Sequence, residues 1–258
     1  SHTMVKAAKS GEDLKDCEVI VITAGIPRKP GMSRDDLLLT NAKIMQAVLE
    51  DIKKYAPNSK IIIVSNPLDA MVYAALKILK FPREQVIGMA GILDSARMSH
   101  FICEKLGYGA GQIESSVMGG HGDAMVPLVN YSTVAGVSLP ELLSKEDIED
   151  IVTKTKNGGL QIVKLLETGS AYYAPAHATS LMVEAILHNT RKIYPCSVML
   201  DGEYDCKNVV SGVPVMLGSN GIEKIIELKL NEEQKELFAN SVASVQELID
   251  TLDEKFFI

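Results

Sequence analysis

The sequence predicts an open, doubly wound α/β fold, a parallel sheet with helices on both faces, followed by a second half of mixed α and β structure. Three observations predict it. Two continuous β-branched runs, EVIVIT at 18–23 and KIIIVS at 60–65, lack the polar alternation of a half-exposed strand and suit strands covered on both faces. A helical pattern lies between them, and parallel neighbours joined through a helix take right-handed crossovers. Beyond Gly91 the texture changes to long helical patterns with short β-rich runs among them.

The first strand opens into AGIPRKPGMSRDDL, a loop stiffened by Pro27 and Pro30 that carries Arg28 and Arg34 six residues apart. A helix over 33–55 begins at Ser33, whose hydroxyl can cap the first turn while Asp36, three residues on, supplies the acidic partner. The second strand, 60–65, leads to a helix over 68–79. ILDSARMSHFICEKLG then reads as a helix, 112–118 as a strand running into GGHGD, and 145–167 and 173–189 as helices. Short β-rich runs follow at 192–200 and 209–217, where the glycines and proline of VVSGVPVMLG suit turns or bulges. A last amphipathic helix fills 231–256, and the change of texture near Gly88 divides the chain into 1–87 and 88–258.

Composition narrows the function classes. With 47% hydrophobic and 23% charged residues, the 258-residue chain has globular averages and enough length for one large or two modest domains. Lys and Arg number 26 against 33 Asp and Glu, with no basic cluster to track phosphates, so nucleic acid is not an expected partner. No apolar run approaches the roughly 20 residues that span a bilayer, so no membrane association and a cytoplasmic location are expected. The four cysteines fall in no close pair with metal-ligand spacing and suit a reduced compartment.

In open parallel sheets ligands bind beyond the carboxyl ends of the strands. Three loops begin at such ends: the Arg28 and Arg34 loop, Ser65-Asn66-Pro67, and GGHGD with His121. The helix after Gly91 adds Asp94 and Arg97, spaced i, i+3 and therefore on one face. A histidine held by a carboxylate keeps one tautomer and is more easily protonated, as an acid and base near neutral pH must be, and His121 with Asp94 can form that pair. Asp123 is two residues from His121 in a turn and poorly placed for the same imidazole. Arginine grips a carboxylate bidentately in a way lysine cannot, which gives Arg97 a substrate acid group to anchor. Asn66 can donate to a carbonyl or hydroxyl oxygen. None of these groups accepts a hydride, so a redox reaction here needs a cofactor. A hydrolase using Ser95 or Ser99 lacks a G-x-S-x-G elbow and leaves the arginines unexplained. A metal site lacks a third ligand near His121. The glycine pairs Gly119-Gly120 and Gly158-Gly159 suit turns or helix packing better than phosphate loops.

TAGIPRKPGMSRDDLL, VSNPLD, GILDSAR and GGHGDAMVPL, in this order and spacing, resemble the malate and lactate dehydrogenase family on its malate-specific side, over nearly the whole chain. The resemblance implies a Rossmann-type sheet followed by a mixed α+β catalytic domain, NAD as cofactor, and reversible oxidation of malate to oxaloacetate. It implies that His121 carries the proton and Asp94 orients it, that Arg97 binds the common carboxylate, and that Arg34 polarises the carbonyl from a closing loop. Arg28 then grips the second carboxylate, where lactate dehydrogenases typically have glutamine. It further implies that Thr23, Ala24 and Gly25 pass near the dinucleotide, that Asn41 contacts it, and that Val64, Ser65 and Asn66 line the nicotinamide side. A homodimer or homotetramer is implied, with the apolar faces at 44–52 and 173–187 as candidate interface or core.

In one respect the sequence departs from the family. No Gly-x-Gly-x-x-Gly precedes EVIVIT, and no acidic residue ends an earlier strand. The expectation is a piece of a longer enzyme, short by about 60 residues at its front because a βαβ unit takes 30 or more. The alternatives are a lactate or other 2-hydroxy-acid dehydrogenase, or a dimerising fragment that binds no NAD.

Overall fold

A computed structural model describes residues 3–27, 31–167 and 169–258. In chain order the elements are β1 (Val19–Ile22), α1 (Arg34–Tyr55), β2 (Lys60–Ile63), α2 (Leu68–Leu79), β3 (Val86–Gly88), α3 (Gly91–Leu106), β4 (Ile113–Glu114), β5 (Val117–Met118), β6 (Val126–Pro127), β7 (Thr133–Val134), β8 (Val137–Ser138), α4 (Leu139–Leu142), α5 (Lys145–Leu166), α6 (Tyr173–Leu187), β9 (Lys192–Asp201), β10 (Lys207–Gly218), β11 (Gly221–Ile225) and α7 (Glu232–Lys255).

Six strands form one sheet in the order β1-β2-β3-β9-β10-β11. β1, β2 and β3 pair in parallel, whereas β9, β10 and β11 pair antiparallel. The two parts meet at a single register pair, Gly88 opposite Ser197. The boundary expected near Gly88 thus falls inside a continuous sheet, although the chain's character does change there.

The run KIIIVS shows why the strand is continuous in hydrophobicity. Ile61, Ile62 and Ile63 are all fully buried, and because strand side chains alternate faces they enter two different cores. Ile61 and Ile63 pack with Leu38, Met45, Leu49 and Ile52 of α1, Met71 and Leu79 of α2, and Val245 and Ile249 of α7. Ile62 packs on the other face with Met182 of α6, Val198 of β9 and Phe238 of α7. The apolar face of α1 at 44–52 therefore contributes Met45, Leu49 and Ile52 to the core. α1 opens as expected: Asp36 N–H donates to Ser33 Oγ at 3.0 Å, and Ser33 N–H donates to Asp36 Oδ2 at 3.1 Å.

Several expectations change. EVIVIT, expected to be covered on both faces, forms β1 at the edge of the sheet, where Val21 is 39% exposed and Val19 and Ile20 are only partly buried. The strand expected at 112–118 is two short pieces, β4 and β5, in different small sheets. It breaks at Ser115 and Ser116 because these bond sideways. Ser115 Oγ donates to Ser95 O at 2.6 Å, and Ser116 N–H donates to Ser132 Oγ at 3.3 Å. The segment VVSGVPVMLG forms no turn but belongs to the 12-residue β10, whose register shifts between Lys207 and Val209 and between Met216 and Leu217, so of the expected turns or bulges the bulges are present. Strand β3 went unpredicted, since three residues carry too little periodicity to signal it. Among the described residues no helix is long and apolar enough to cross a membrane.

Candidate active site

α3 builds the centre of the site. Its first turns bring Asp94 to one face with Arg97 below it, and Asp94 is 1% exposed. Each Asp94 oxygen has its own partner: Oδ2 lies 2.8 Å from His121 Nδ1, and Oδ1 accepts from Arg97 Nη1 at 3.1 Å. With Nδ1–H donated to Asp94, Nε2 is the nitrogen left to exchange a proton. Burial opposes charge on the His121 imidazole, but the adjacent Asp94 charge and hydrogen bond, helped by Asp69, outweigh burial and Arg97 and hold its pKa above the ordinary histidine value. Asp123 is exposed, as its rejection as partner requires.

The His121 loop is fastened residue by residue to separate elements. Gly119 exchanges backbone hydrogen bonds with Gly212 of β10, at 2.8 and 3.1 Å. Gly120 N–H donates to Ser241 Oγ of α7 at 2.8 Å, and His121 N–H to Asp69 Oδ2 of α2 at 2.8 Å. Gly119 has φ +80° and a Cβ there would stand 2.5 Å from Ser241 Oγ, so only glycine allows the loop to lie this close to α7. Gly212 serves the same approach from β10, where an added Cβ would meet Gly119 O at 2.4 Å.

The pair Gly158-Gly159 lies inside α5 against Arg97, and Gly158 makes room for it while a side chain at Gly159 would make ordinary contact. A Cβ at Gly158 would stand 3.3 Å from Arg97 Cδ, and one at Gly159 would stand 3.6 Å from both terminal guanidinium nitrogens. Arg97 Nε is buried without a hydrogen-bond partner among the described residues. A buried donor left unpaired costs about 1–3 kcal/mol, which marks the guanidinium as a group built for an acceptor from outside the chain.

At the carboxyl ends of β1 and β2 lies a ledge formed by two loops. Thr23, Gly25 and Asn66 are exposed on it, with Ala24 and Val64 partly covered. Asn41 and Ser65 lie beneath rather than on it. Asn41, 1% exposed, donates through Nδ2 to Ile26 O at 3.1 Å and Asn66 O at 2.6 Å and accepts Ile26 N–H at 2.8 Å. Its amide therefore holds the loops, a different part from the direct contact expected of it. The buried Ser65 hydroxyl likewise donates to Ala24 O.

Of the six side chains expected at the chemistry, the structure joins His121, Asp94 and Arg97 directly. Asn66 begins the segment whose Asp69 bonds the His121 backbone. Arg34 is the first residue of α1, exposed, with no hydrogen bond or ion pair among the described residues. Arg28 lies outside the described residues.

The residue that sequence reasoning passed over is Asp69. Among the described residues, Asp69 and Asp94 are the two buried carboxylates, and both bond His121. The signal was present in VSNPLD: a carboxylate heading LDAMVYAALKIL, a helix otherwise apolar apart from Lys77. No group of three or more His, Cys, Asp or Glu among the described residues could hold a metal ion.

Comparison with known proteins agrees with the geometry. Residues 1–88 match the NAD binding domain of lactate/malate dehydrogenase, and residues 92–256 match the alpha/beta C-terminal domain of lactate/malate dehydrogenase. The chain is 63% identical over 258 residues to a malate dehydrogenase of Sulfurimonas denitrificans, covering 100% of this chain and 81% of that protein. It superposes on the crystal structure of Cryptosporidium parvum malate dehydrogenase with a TM-score of 0.92 at 42% identity, covering 96% of this chain and 80% of that one. A lactate dehydrogenase of the same organism, complexed with lactic acid and nicotinamide adenine dinucleotide, gives a TM-score of 0.94 at 38% identity over 98% of this chain and 81% of that one.

Proposed function

The chain belongs to the lactate/malate dehydrogenase family, and from that membership we propose that it reversibly oxidises (S)-malate to oxaloacetate with NAD. The observation that carries the reading is Asp94 shared between His121 and Arg97, a proton carrier and a carboxylate anchor held by one buried group.

In the oxidising direction the neutral imidazole takes the substrate's hydroxyl proton on Nε2. The imidazolium that forms lies against the Asp94 carboxylate, which favours it by charge and hydrogen bond. In the reducing direction Nε2–H returns the proton to the carbonyl oxygen. NAD, when bound, supplies the acceptor for the hydride leaving the carbon that bears the hydroxyl. The ledge at the ends of β1 and β2 suits its nicotinamide end, since Thr23, Gly25 and Asn66 are exposed there, with Ala24 and Val64 beside them. Asn41 and Ser65 keep the two loops in register beneath it.

Arg97, steadied on one side by Asp94 and seated on Gly158 and Gly159, offers its remaining donors to the substrate carboxylate. Arg34 closes on the carbonyl oxygen and polarises it, in a site whose closure excludes water and strengthens that pull. Arg28 takes the second carboxylate, which makes a small dicarboxylate the preferred substrate. Residues 1–87 then carry the cofactor together with the substrate groups Arg28, Arg34 and Asn66, and 88–258 carry His121, Asp94 and Arg97. Assembly as a homodimer or homotetramer belongs to the same reading and is checked by sedimentation.

The test is NADH oxidation with oxaloacetate and with pyruvate, on the full-length protein. Faster turnover of oxaloacetate is expected. Preference for pyruvate would replace the malate assignment by lactate, which shares every role except that of Arg28, and inactivity with both would remove the dehydrogenase reading.

A further inference from the structure

Asp69 occupies the first turn of α2, three residues after Asn66, and is 4% exposed. A carboxylate taken out of water is tolerated only when its oxygens are bonded. Here Oδ1 accepts the Ser197 hydroxyl at 2.6 Å and Oδ2 accepts the His121 backbone N–H at 2.8 Å. The positive end of the α2 dipole favours a negative charge at this position.

Ser197 is itself fully buried and stands at the pair with Gly88 that joins the parallel and antiparallel parts of the sheet. The fit there is close: a Cβ on Gly88 would lie 2.7 Å from Ser197 Cβ. One side chain therefore ties together the loop after β2, the His121 loop and the sheet junction. A neutral amide could make the same two bonds without the cost of burying a charge, so holding the loop does not by itself account for an acid.

We infer that Asp69 is a positioning residue for proton transfer, fixing the His121 backbone against the Asn66 loop and placing a second negative charge behind the imidazole. The inference rests on His121 being the proton carrier of the proposed reaction. The charged groups facing His121 are Asp94 and Arg97 from α3 and Asp69 from α2, while β10 and α7 contribute the Gly212 backbone and the Ser241 hydroxyl. Of the three charges, Asp94 and Asp69 favour the imidazolium and Arg97 opposes it. Burial holds the Asp69 carboxyl above the usual carboxylate range, and the bonds from Ser197 and the His121 backbone, with the charge on His121, offset only part of that rise.

Asp69→Asn separates charge from shape. Its Oδ1 can accept the His121 N–H while its Nδ2 turns to Ser197 Oγ, so the tie survives and the charge does not. The His121 imidazole is followed by NMR titration in both proteins, alongside thermal melting and steady-state oxaloacetate reduction. The expected result is a folded variant whose His121 titrates at lower pH. Its kcat falls about 10-fold to 100-fold, and its KM for oxaloacetate changes less because Arg97 is untouched.

A second measurement needs no variant. In carbon-labelled wild-type protein the Asp69 carboxyl is expected to stay ionised across the His121 titration and to show an inflection at its midpoint. An Asp69 carboxyl protonated throughout that range, or a His121 titration unmoved in Asp69→Asn, overturns the inference. Neither NMR readout needs turnover, so inactivity toward oxaloacetate with the two groups still coupled would overturn the proposed reaction alone.

Discussion

Gly158 of α5 faces Arg97 of α3 so closely that a methyl group added to it would stand 3.3 Å from Arg97 Cδ. The helix accepts glycine, at about 1 kcal/mol relative to alanine, in a place where alanine would push the arginine. Gly158→Ala is therefore expected to raise KM for the substrate several-fold through Arg97 while thermal stability stays level or rises. A higher melting temperature with unchanged KM would show that the glycine serves packing only.

In the proposed reaction Arg28 takes the second carboxylate and so carries the distinction between substrates. Arg28→Gln is expected to lower kcat/KM for oxaloacetate by several powers of ten, in line with the roughly 10⁴-fold discrimination open to sites that bond a charged or polar substrate group, and to affect pyruvate far less. Equal losses on both acids would remove Arg28 from the role.

Asp94→Asn leaves the shape of the pair but allows the wrong imidazole tautomer and withdraws the charge that favours the imidazolium. Turnover is expected to fall by about 10²-fold to 10⁴-fold, and Arg97 loses its charge-assisted contact, so KM rises as well. In the proposed reaction the reduction of oxaloacetate needs protonated His121. Its decline on the alkaline side should therefore begin at lower pH in the variant, which rate profiles measure directly.

Away from the site, Arg83 makes a two-pronged contact with Glu203, Nη2 to Oε1 at 2.7 Å and Nη1 to Oε2 at 3.1 Å. This contact, working against partial burial, holds the Glu203 carboxyl down to about 2 from an ordinary 4.5. The folded value lies below the unfolded one, so the contribution is complete above pH 4.5 and is lost as pH falls toward 2. Because a third of Arg83 is exposed, its size is about 1 kcal/mol, or roughly 2–4 °C in melting temperature. Melting of wild type and Glu203→Gln should differ by that amount at pH 7 and converge near pH 2. A constant difference would place the effect elsewhere.

The sequence by itself determined the strand at 60–65 that is buried on both faces, the capped start of α1, and the residue types at the site, but it did not tell that strand from EVIVIT, which lies at the sheet edge. Each of these rests on short-range order: β-branched runs in 60–65, Ser33 with Asp36, and Asp94 with Arg97 one helical turn apart. It pointed to Asp94 over Asp123 as well, since a residue two positions away in a turn cannot easily reach the same ring. What it could not contain is the meaning of contacts between distant segments. Asp69 looks like any acidic first-turn residue until α2 is set beside His121 and Ser197, 52 and 128 positions along the chain. Gly158 and Gly159 look like weak points in a helix until α3 brings Arg97 against them. Gly212 looks like a turn until the His121 loop lies on it. Asn41 looks like a ligand-facing amide until three backbone groups are found to occupy it. Tertiary structure decided these because burial removes water as the default partner, and each polar group must then find its partner, and each close approach its glycine, wherever the fold delivers the other chain segment.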